Sequence, residues 1–228
     1  MATVATLITA ARQKAQTDSN GISDTNGLAW INDGLIDSTR DLIARGVDAA
    51  QTAEAYATIT SADNPPGRFA WPDDMFALKT IEADFTNSGG QSFIQATKLD
   101  VANLQGRTSW DFVRANQPTS DPMFTNHGDT GELFPTVTGS ALIRIFYYLQ
   151  PTPYSSTSST INYPQTLDPD VLVAKILVVY YQSIEKFDVA AQWEAEYKKK
   201  ITDFINILGP QSKQPITPEK LRITGWQF

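Results

Sequence analysis

The chain has no cysteine and only one histidine among its 228 residues. Without thiols it can form neither a disulfide nor a thiolate metal site, and one histidine cannot build an ordinary zinc site. The longest apolar run, residues 141–149, is interrupted by Arg144 and is too short to span a membrane. The N-terminus lacks the basic and apolar regions of a signal peptide. We therefore expect a protein that is made in the cytoplasm, stays soluble and holds no metal or cofactor.

Positive charge is also scarce, because 18 lysine and arginine residues face 25 acidic residues and leave a net charge of −7. A general nucleic-acid-binding protein usually has the opposite sign or a strong basic stripe. The acidic balance argues against a surface that grips DNA, although it would suit a wall past which DNA slides. The hydrophobic fraction of 41% is enough for a sizeable core in one large domain or two small ones.

The acidic and histidine-containing segments show no catalytic signature. His127 lies in FTNHGDTGE, and no G-x-S-x-G nucleophile elbow accompanies it, so we interpret it as a loop histidine. Asp73 and Asp74 are adjacent and would face opposite ways on an extended chain, which favours a turn entering a strand over paired hydrolytic carboxylates. The acids of residues 121–132 lack EF-hand spacing and indicate a polar loop. The sequence thus predicts no enzyme.

Two helices are predicted near the N-terminus. Residues 3–15 repeat apolar side chains at helical spacing, and Asn20-Gly21 then indicates a turn. Ser23 offers its hydroxyl as N-cap of the second helix, Asp24 adds negative charge to the first turn, and Gly46 suits its end. The apolar stripe of this helix consists of Leu28, Ile31, Leu35 and Leu42.

Two further helices are predicted near the C-terminus, at residues 167–187 and 189–209. Only a few residues join them, which predicts an αα-hairpin. Pro169 suits the first turn after Asp168 as cap, and Gly209-Pro210 ends the second helix. The apolar residues expected in the core of the resulting bundle are Leu28, Ile31, Leu35, Ile176, Val179, Trp193 and Tyr197.

Between the two helix pairs, the sequence has short β-like stretches with turn residues between them. YATIT, MFALKTIEADF, SFIQAT and ALIRIFYYL are the strand candidates. The predicted fold is therefore α+β and mainly α. It consists of a discontinuous helical bundle of residues 1–54 and 166–209, a β-rich domain of residues 55–165 inserted into it, and an extended C-terminal tail of residues 210–228.

The tail combines prolines with large apolar residues that belong to no periodic element. An extended peptide with spaced apolar anchors can fill pockets on a partner or add to a sheet edge, and tryptophan is a frequent interface hot spot. We therefore predict that the tail binds a partner. The alternative is that it folds back on its own domain. The predicted anchors are Leu221, Ile223, Trp226 and Phe228.

Several segments, in order, resemble those of the head-to-tail adaptor (connector) proteins of tailed bacteriophages. ISDTNGLAWINDGLIDS is similar to the opening helices of that family, and FAWPDDMFALKTIE to a segment that has Leu-Pro where this chain has Trp71-Pro72. IRIFYYLQPTP resembles a family strand and its exit. LDPDVLVAKILVVYYQSIEKFDVAAQWEAEYKKKI resembles the closing hairpin. The resemblance covers most of residues 20–205 through order and spacing, and residues 90–140 match poorly.

The resemblance implies a structural virion protein. Family members form a ring, usually a dodecamer, beneath the portal in the head–tail neck, where they seal the packaged head and provide the tail attachment surface. The implied partners are the portal protein, a tail or nozzle protein and other copies of the chain. Genomic DNA would pass through the lumen without specific binding, and no membrane would be involved. Family C-terminal tails commonly reach the portal, which would make the four tail anchors portal-docking residues.

Two other functions stay open on the sequence. One is a tail-side completion protein, which would bind the tail tube instead of the portal. The other is a virion-associated glycan hydrolase, which would use carboxylates of the inserted domain. The hydrolase requires two carboxylates that converge in a cleft.

Overall fold

A computed structural model shows a mixed α+β protein, and this part of the predicted fold is confirmed. Four helices of twelve residues or more and two four-stranded sheets occur among the described residues. They form two compact units, one from the described residues up to 46 and from 151 onwards, the other from those between 52 and 150. The structure describes residues 2–46, 52–63, 66–86, 92–99, 113, 115–161 and 169–208.

The caps of the N-terminal helices follow from local sequence. Thr3 caps the first helix, since its hydroxyl accepts the Thr6 N–H at 3.3 Å and the Thr6 hydroxyl accepts the Thr3 N–H at 2.9 Å. The predicted N-cap of the second helix is confirmed, because the Ser23 hydroxyl accepts the Asn26 N–H at 3.1 Å. Gly46 follows this helix with φ of 72°. Helix α1 spans Val4–Ala15, α2 Asp24–Ala44, α3 Asp170–Ser183 and α4 Phe187–Leu208.

Helices α3 and α4 form the predicted αα-hairpin, with only residues 184–186 between them. Glu185 has φ of +60° in this connection. Helix α3 begins at Asp170, one residue after Pro169, while the predicted cap Asp168 lies outside the described residues.

The helical unit has apolar cores that combine residues from both ends of the chain. Of the predicted core residues, Ile31, Leu35, Ile176 and Tyr197 are buried. Leu28 and Trp193 are partly buried and pack against the main core. Val179 is a wrong prediction, because it is only half-buried. The α3 residues in the main core are Leu172, Val173, Ile176, Leu177 and Tyr180.

Eight strands of the described residues build the two sheets of the second unit. The first sheet has the order β1-β8-β3-β4 and the second β2-β7-β6-β5. Strand pairs are antiparallel except for β5 with β6. The strands are β1 Thr52–Thr60, β2 Arg68–Ala70, β3 Met75–Asp84, β4 Ile94–Gln95, β5 Thr97–Lys98, β6 Met123–His127, β7 Thr130–Phe134 and β8 Ser140–Leu149.

Strand β8 lies between β1 and β3, and its alternating sequence separates the two faces of the first sheet. Ile143, Ile145 and Tyr147 are buried, whereas Arg144 and Phe146 are half-exposed on the other face. Both sheets contribute to one apolar core, whose members include Ile59, Phe69, Ile81, Phe124, Leu133, Ile143 and Ile145.

Gly131 in β7 leaves room for the ring of Phe69, which lies opposite it in β2. A Cβ at this position would lie 2.3 Å from Cζ of Phe69. We expect Gly131→Ala to lower the free energy of unfolding by about 1–3 kcal/mol, since the ring has to leave a packed core. Gly139→Ala is the control, because a Cβ there meets no described atom within 4 Å. Equal urea midpoints for the two variants would contradict the prediction.

Candidate interaction surfaces

His127 ends strand β6, so the interpretation of this residue as a loop histidine is wrong. Gly128 has φ of +70° and makes a two-residue turn with Asp129, which lets the strand continue to His127. Glu132, which was expected in a polar loop, is fully buried in β7. The Gly-Asp pair between alternating residues was the signal for this hairpin.

The buried Glu132 carboxylate lies beside positive and polar groups of two other strands. Its Oε2 is 3.1 Å from Nε2 of His127 in β6 and 3.9 Å from Nε of Arg68 in β2. A buried carboxylate is costly unless charge and hydrogen bonds compensate it. The arrangement therefore joins β2, β6 and β7. Among the described residues, no group of three or more histidine, aspartate or glutamate side chains is arranged to hold a metal ion.

Asp73 and Asp74 form a turn that enters β3, as predicted. Oδ1 of Asp74 accepts the Tyr147 hydroxyl at 2.9 Å, and its carbonyl accepts the Gln150 N–H at 2.8 Å. Burial, and then this carboxylate, raises the pKa of the Tyr147 hydroxyl. Asp74 thus anchors the end of β8 to the turn before β3, which is a structural role.

The outer face of the first sheet carries a partly exposed cluster of arginine and aromatic side chains, here called the arginine–aromatic cluster: Tyr56, Phe93, Arg144 and Phe146. The Arg144 guanidinium carbon lies 4.2 Å from the ring centroid of Phe93 and 5.0 Å from that of Phe146. Nε of Arg144 donates to Glu82 at 2.9 Å. Tyr56 is 58% exposed, and its hydroxyl donates to Glu54. Tyrosine and arginine are enriched in protein interfaces, so this cluster is a candidate contact surface.

The α3–α4 turn exposes two large apolar side chains. Ile184 is 41% and Phe187 64% exposed, on either side of Glu185 and Lys186. Single exposed apolar residues are common on protein surfaces. Two of them at one turn make a small candidate contact point of the helical unit.

A polar cleft of about 430 Å³ lies in the helical unit. Oδ2 of Asp170 is 3.4 Å from Nζ of Lys14 and 3.8 Å from Nζ of Lys200. The positive and negative side chains offset one another, so the cleft has no charge excess with which to attract an ion. Its lining residues are Lys14, Asp170, Gln192, Trp193, Glu196 and Lys200.

The four predicted tail anchors, Leu221, Ile223, Trp226 and Phe228, lie outside the described residues. Their assignment to portal docking stays a prediction. Sequence reasoning missed the arginine–aromatic cluster, although alternation in YATIT and ALIRIFYYL could have placed Tyr56, Arg144 and Phe146 on outward faces. Their proximity depends on strand pairing, which brings Tyr56 and Glu82 to either side of Arg144.

No protein-family model matches this chain, and no curated protein matches it. No described helix is long and apolar enough to cross a membrane.

Proposed function

We propose that the chain is a structural virion protein, the head-to-tail adaptor of a tailed bacteriophage. It forms a ring, by family resemblance a dodecamer, beneath the portal. The ring seals the packaged head and provides the surface to which the tail or nozzle protein attaches. The observation that carries this proposal is the ordered resemblance of four segments to that family. Those segments correspond to α2, β3, β8 and the α3–α4 hairpin, and all of these elements are formed.

The architecture supports this proposal. We take the helical unit to be the discontinuous bundle, with the β-rich unit inserted between its halves and the C-terminal tail extending from it. Cores that combine α1 and α2 with α3 and α4 agree with this division. A ring requires a heterologous contact that closes on itself, and a rigid helical wedge suits such a contact.

Polar contacts link the helices of the helical unit to one another, which supports the proposed role as a wedge. Nζ of Lys175 in α3 is 2.5 Å from Oδ2 of Asp37 in α2. The Tyr197 hydroxyl in α4 donates to Oδ2 of Asp41 at 3.3 Å. Burial of Tyr197, together with the negative charges of Asp41 and Asp37, raises the pKa of its hydroxyl far above the ordinary value. These contacts join α2 to both helices of the hairpin.

The acidic composition supports a channel for DNA. Each copy has a net charge of −7, and those carboxylates that line the lumen would repel a passing DNA molecule and oppose its binding to the wall. The proposed location is the neck of the virion, after synthesis in the host cytoplasm. The proposed role needs neither catalysis nor a cofactor.

Negative-stain electron microscopy tests the proposal directly. The purified protein is imaged alone and after mixing with the portal protein of the same phage. We expect an added ring layer on the portal, at the face that later meets the tail. Portal particles without that layer would overturn the adaptor assignment. Binding to tail tubes would then identify a tail-side completion protein, and digestion of host cell wall by the pure protein would identify the hydrolase.

A further inference from the structure

Strand β1 is a long edge strand. It runs for nine residues, Thr52–Thr60, and pairs with β8 along one side. No described strand pairs with its other side. Most proteins shorten, charge or cover such an edge, because its backbone groups can pair with another strand. Strand β1 has no proline and only one charged residue, Glu54.

The hydrogen-bond pattern shows which backbone groups of β1 face outward. The Ser61 N–H donates to the Gly139 carbonyl at 2.9 Å, so odd-numbered residues exchange hydrogen bonds with β8. The Thr60 N–H instead donates to Oδ2 of Asp63 at 2.6 Å, away from β8. The even-numbered residues Glu54, Tyr56 and Thr58 therefore direct their N–H and C=O groups to the outer edge.

The core is thinly covered along the same edge. Ala53, Ala55 and Ala57 point inward but are only partly buried. The corresponding inward residues of the central strand, such as Ile143 and Ile145, are at most 1% exposed. An added strand with apolar residues at every second position would extend the sheet and cover these alanines.

We propose that the outer edge of β1 binds the C-terminal segment of its own chain, residues 219–228, as an added strand. This segment has no proline over ten residues, enough to match the nine of β1, whereas residues 210–218 contain three. Leu221 and Ile223 are two residues apart, so in an extended strand both would lie on the face that covers Ala53, Ala55 and Ala57. On the opposite face, the positive charge of Arg222 complements the negative charge of Glu54 in β1.

The chain's own segment is the favoured occupant because it is tethered. A tethered segment whose linker spans the distance meets its site at an effective concentration in the millimolar range, well above that of a free copy at micromolar concentration. The inference concerns the free protein and does not rest on the adaptor function. If the tail later docks on a portal, it has to leave this edge first.

Residue-resolved amide hydrogen exchange of the full-length protein tests this pairing. We expect the N–H groups of Glu54, Tyr56 and Thr58 to be protected in the unmodified chain. Ile223→Pro and Thr224→Pro each remove one backbone N–H group. Neighbouring N–H groups of a strand point to opposite edges, so one of the two removed groups faces β1. At least one of the two variants should therefore speed exchange at the three positions about tenfold or more. Ser212→Pro adds a proline outside the segment and should leave all three unchanged.

Three results would overturn the proposal. Fast exchange at these positions in the unmodified chain would show that the edge is open. Protection that survives both tail prolines would show another occupant. Protection that disappears on tenfold dilution would assign the strand to a second copy. Ala55 and Ala57, whose N–H groups face β8, report in every sample whether the sheet itself is intact. Because no portal is present, the result is independent of the adaptor assignment.

Discussion

Replacing Trp226 and Phe228 together with serine should abolish docking of the chain on the portal. Each is predicted to be an aromatic anchor, and truncating a hot-spot aromatic costs about 2 kcal/mol or more. The pair should therefore weaken the binding of one copy by roughly 10³-fold or more. Since a ring multiplies weak contacts by avidity, the loss at the level of the assembled ring should be larger still. The measurement is co-sedimentation with purified portal, followed by electron microscopy of the pellet.

A conservative change in the same segment, Thr224→Ser, is the matched control and should bind as the unmodified chain does. Circular dichroism should show equal helix content in all three proteins, because the described apolar cores are built from residues that precede the tail. If the double variant still forms a layer on the portal, the tail is not the docking element. Deletion of residues 210–228 should reproduce the loss of docking.

Ile176→Ala should be among the most destabilising single substitutions in the helical unit. Ile176 is fully buried in α3, in the core that it shares with Ile8 of α1 and Ile31 of α2. Removing three carbon atoms from a packed core loses their transfer free energy and leaves a cavity. We expect the free energy of unfolding of this unit to fall by about 2–5 kcal/mol. Urea unfolding followed by circular dichroism at helical wavelengths measures the change.

Ile184→Ala is the control for this measurement, because it deletes the same atoms from the same hairpin at a residue that is 41% exposed. Its effect should stay within about 0.5 kcal/mol. Similar urea midpoints for the two variants would show that the core around Ile176 contributes little to the stability of the unit.

The two predictions probe different parts of the proposed adaptor. The core substitution tests how strongly the core around Ile176 stabilises the helical unit. The tail substitution tests recognition of the partner and should leave that unit intact. A variant that loses docking while keeping its urea midpoint would separate recognition from folding. Loss of both together would show that the tail also stabilises the fold.

Local features of the chain could be predicted from the sequence alone. The cap at Ser23, the helix end at Gly46 and the α3–α4 hairpin depend on side chains a few residues apart, so they do not need the rest of the molecule. Strands were likewise predicted at residues 56–60, 75–85 and 141–149 from alternation and strand-type composition, and β1, β3 and β8 include them. The α+β class followed from these elements. The predicted start of the β-rich domain at residue 55 is wrong, because β1 already begins at Thr52.

Only the tertiary structure decided which strands pair and what each buried polar group meets. The order β1-β8-β3-β4 joins residues about 90 positions apart, such as Tyr56 and Arg144, and no local pattern encodes that register. The same holds for Arg68 beside Glu132 and for the Phe69 ring over Gly131. Both contacts depend on the pairing of β2 with β7, which are distant in sequence. Packing likewise decided that Leu177 is buried in the core and Val179 is not. Both are apolar residues of α3, and their burial depends on where the neighbouring helices lie.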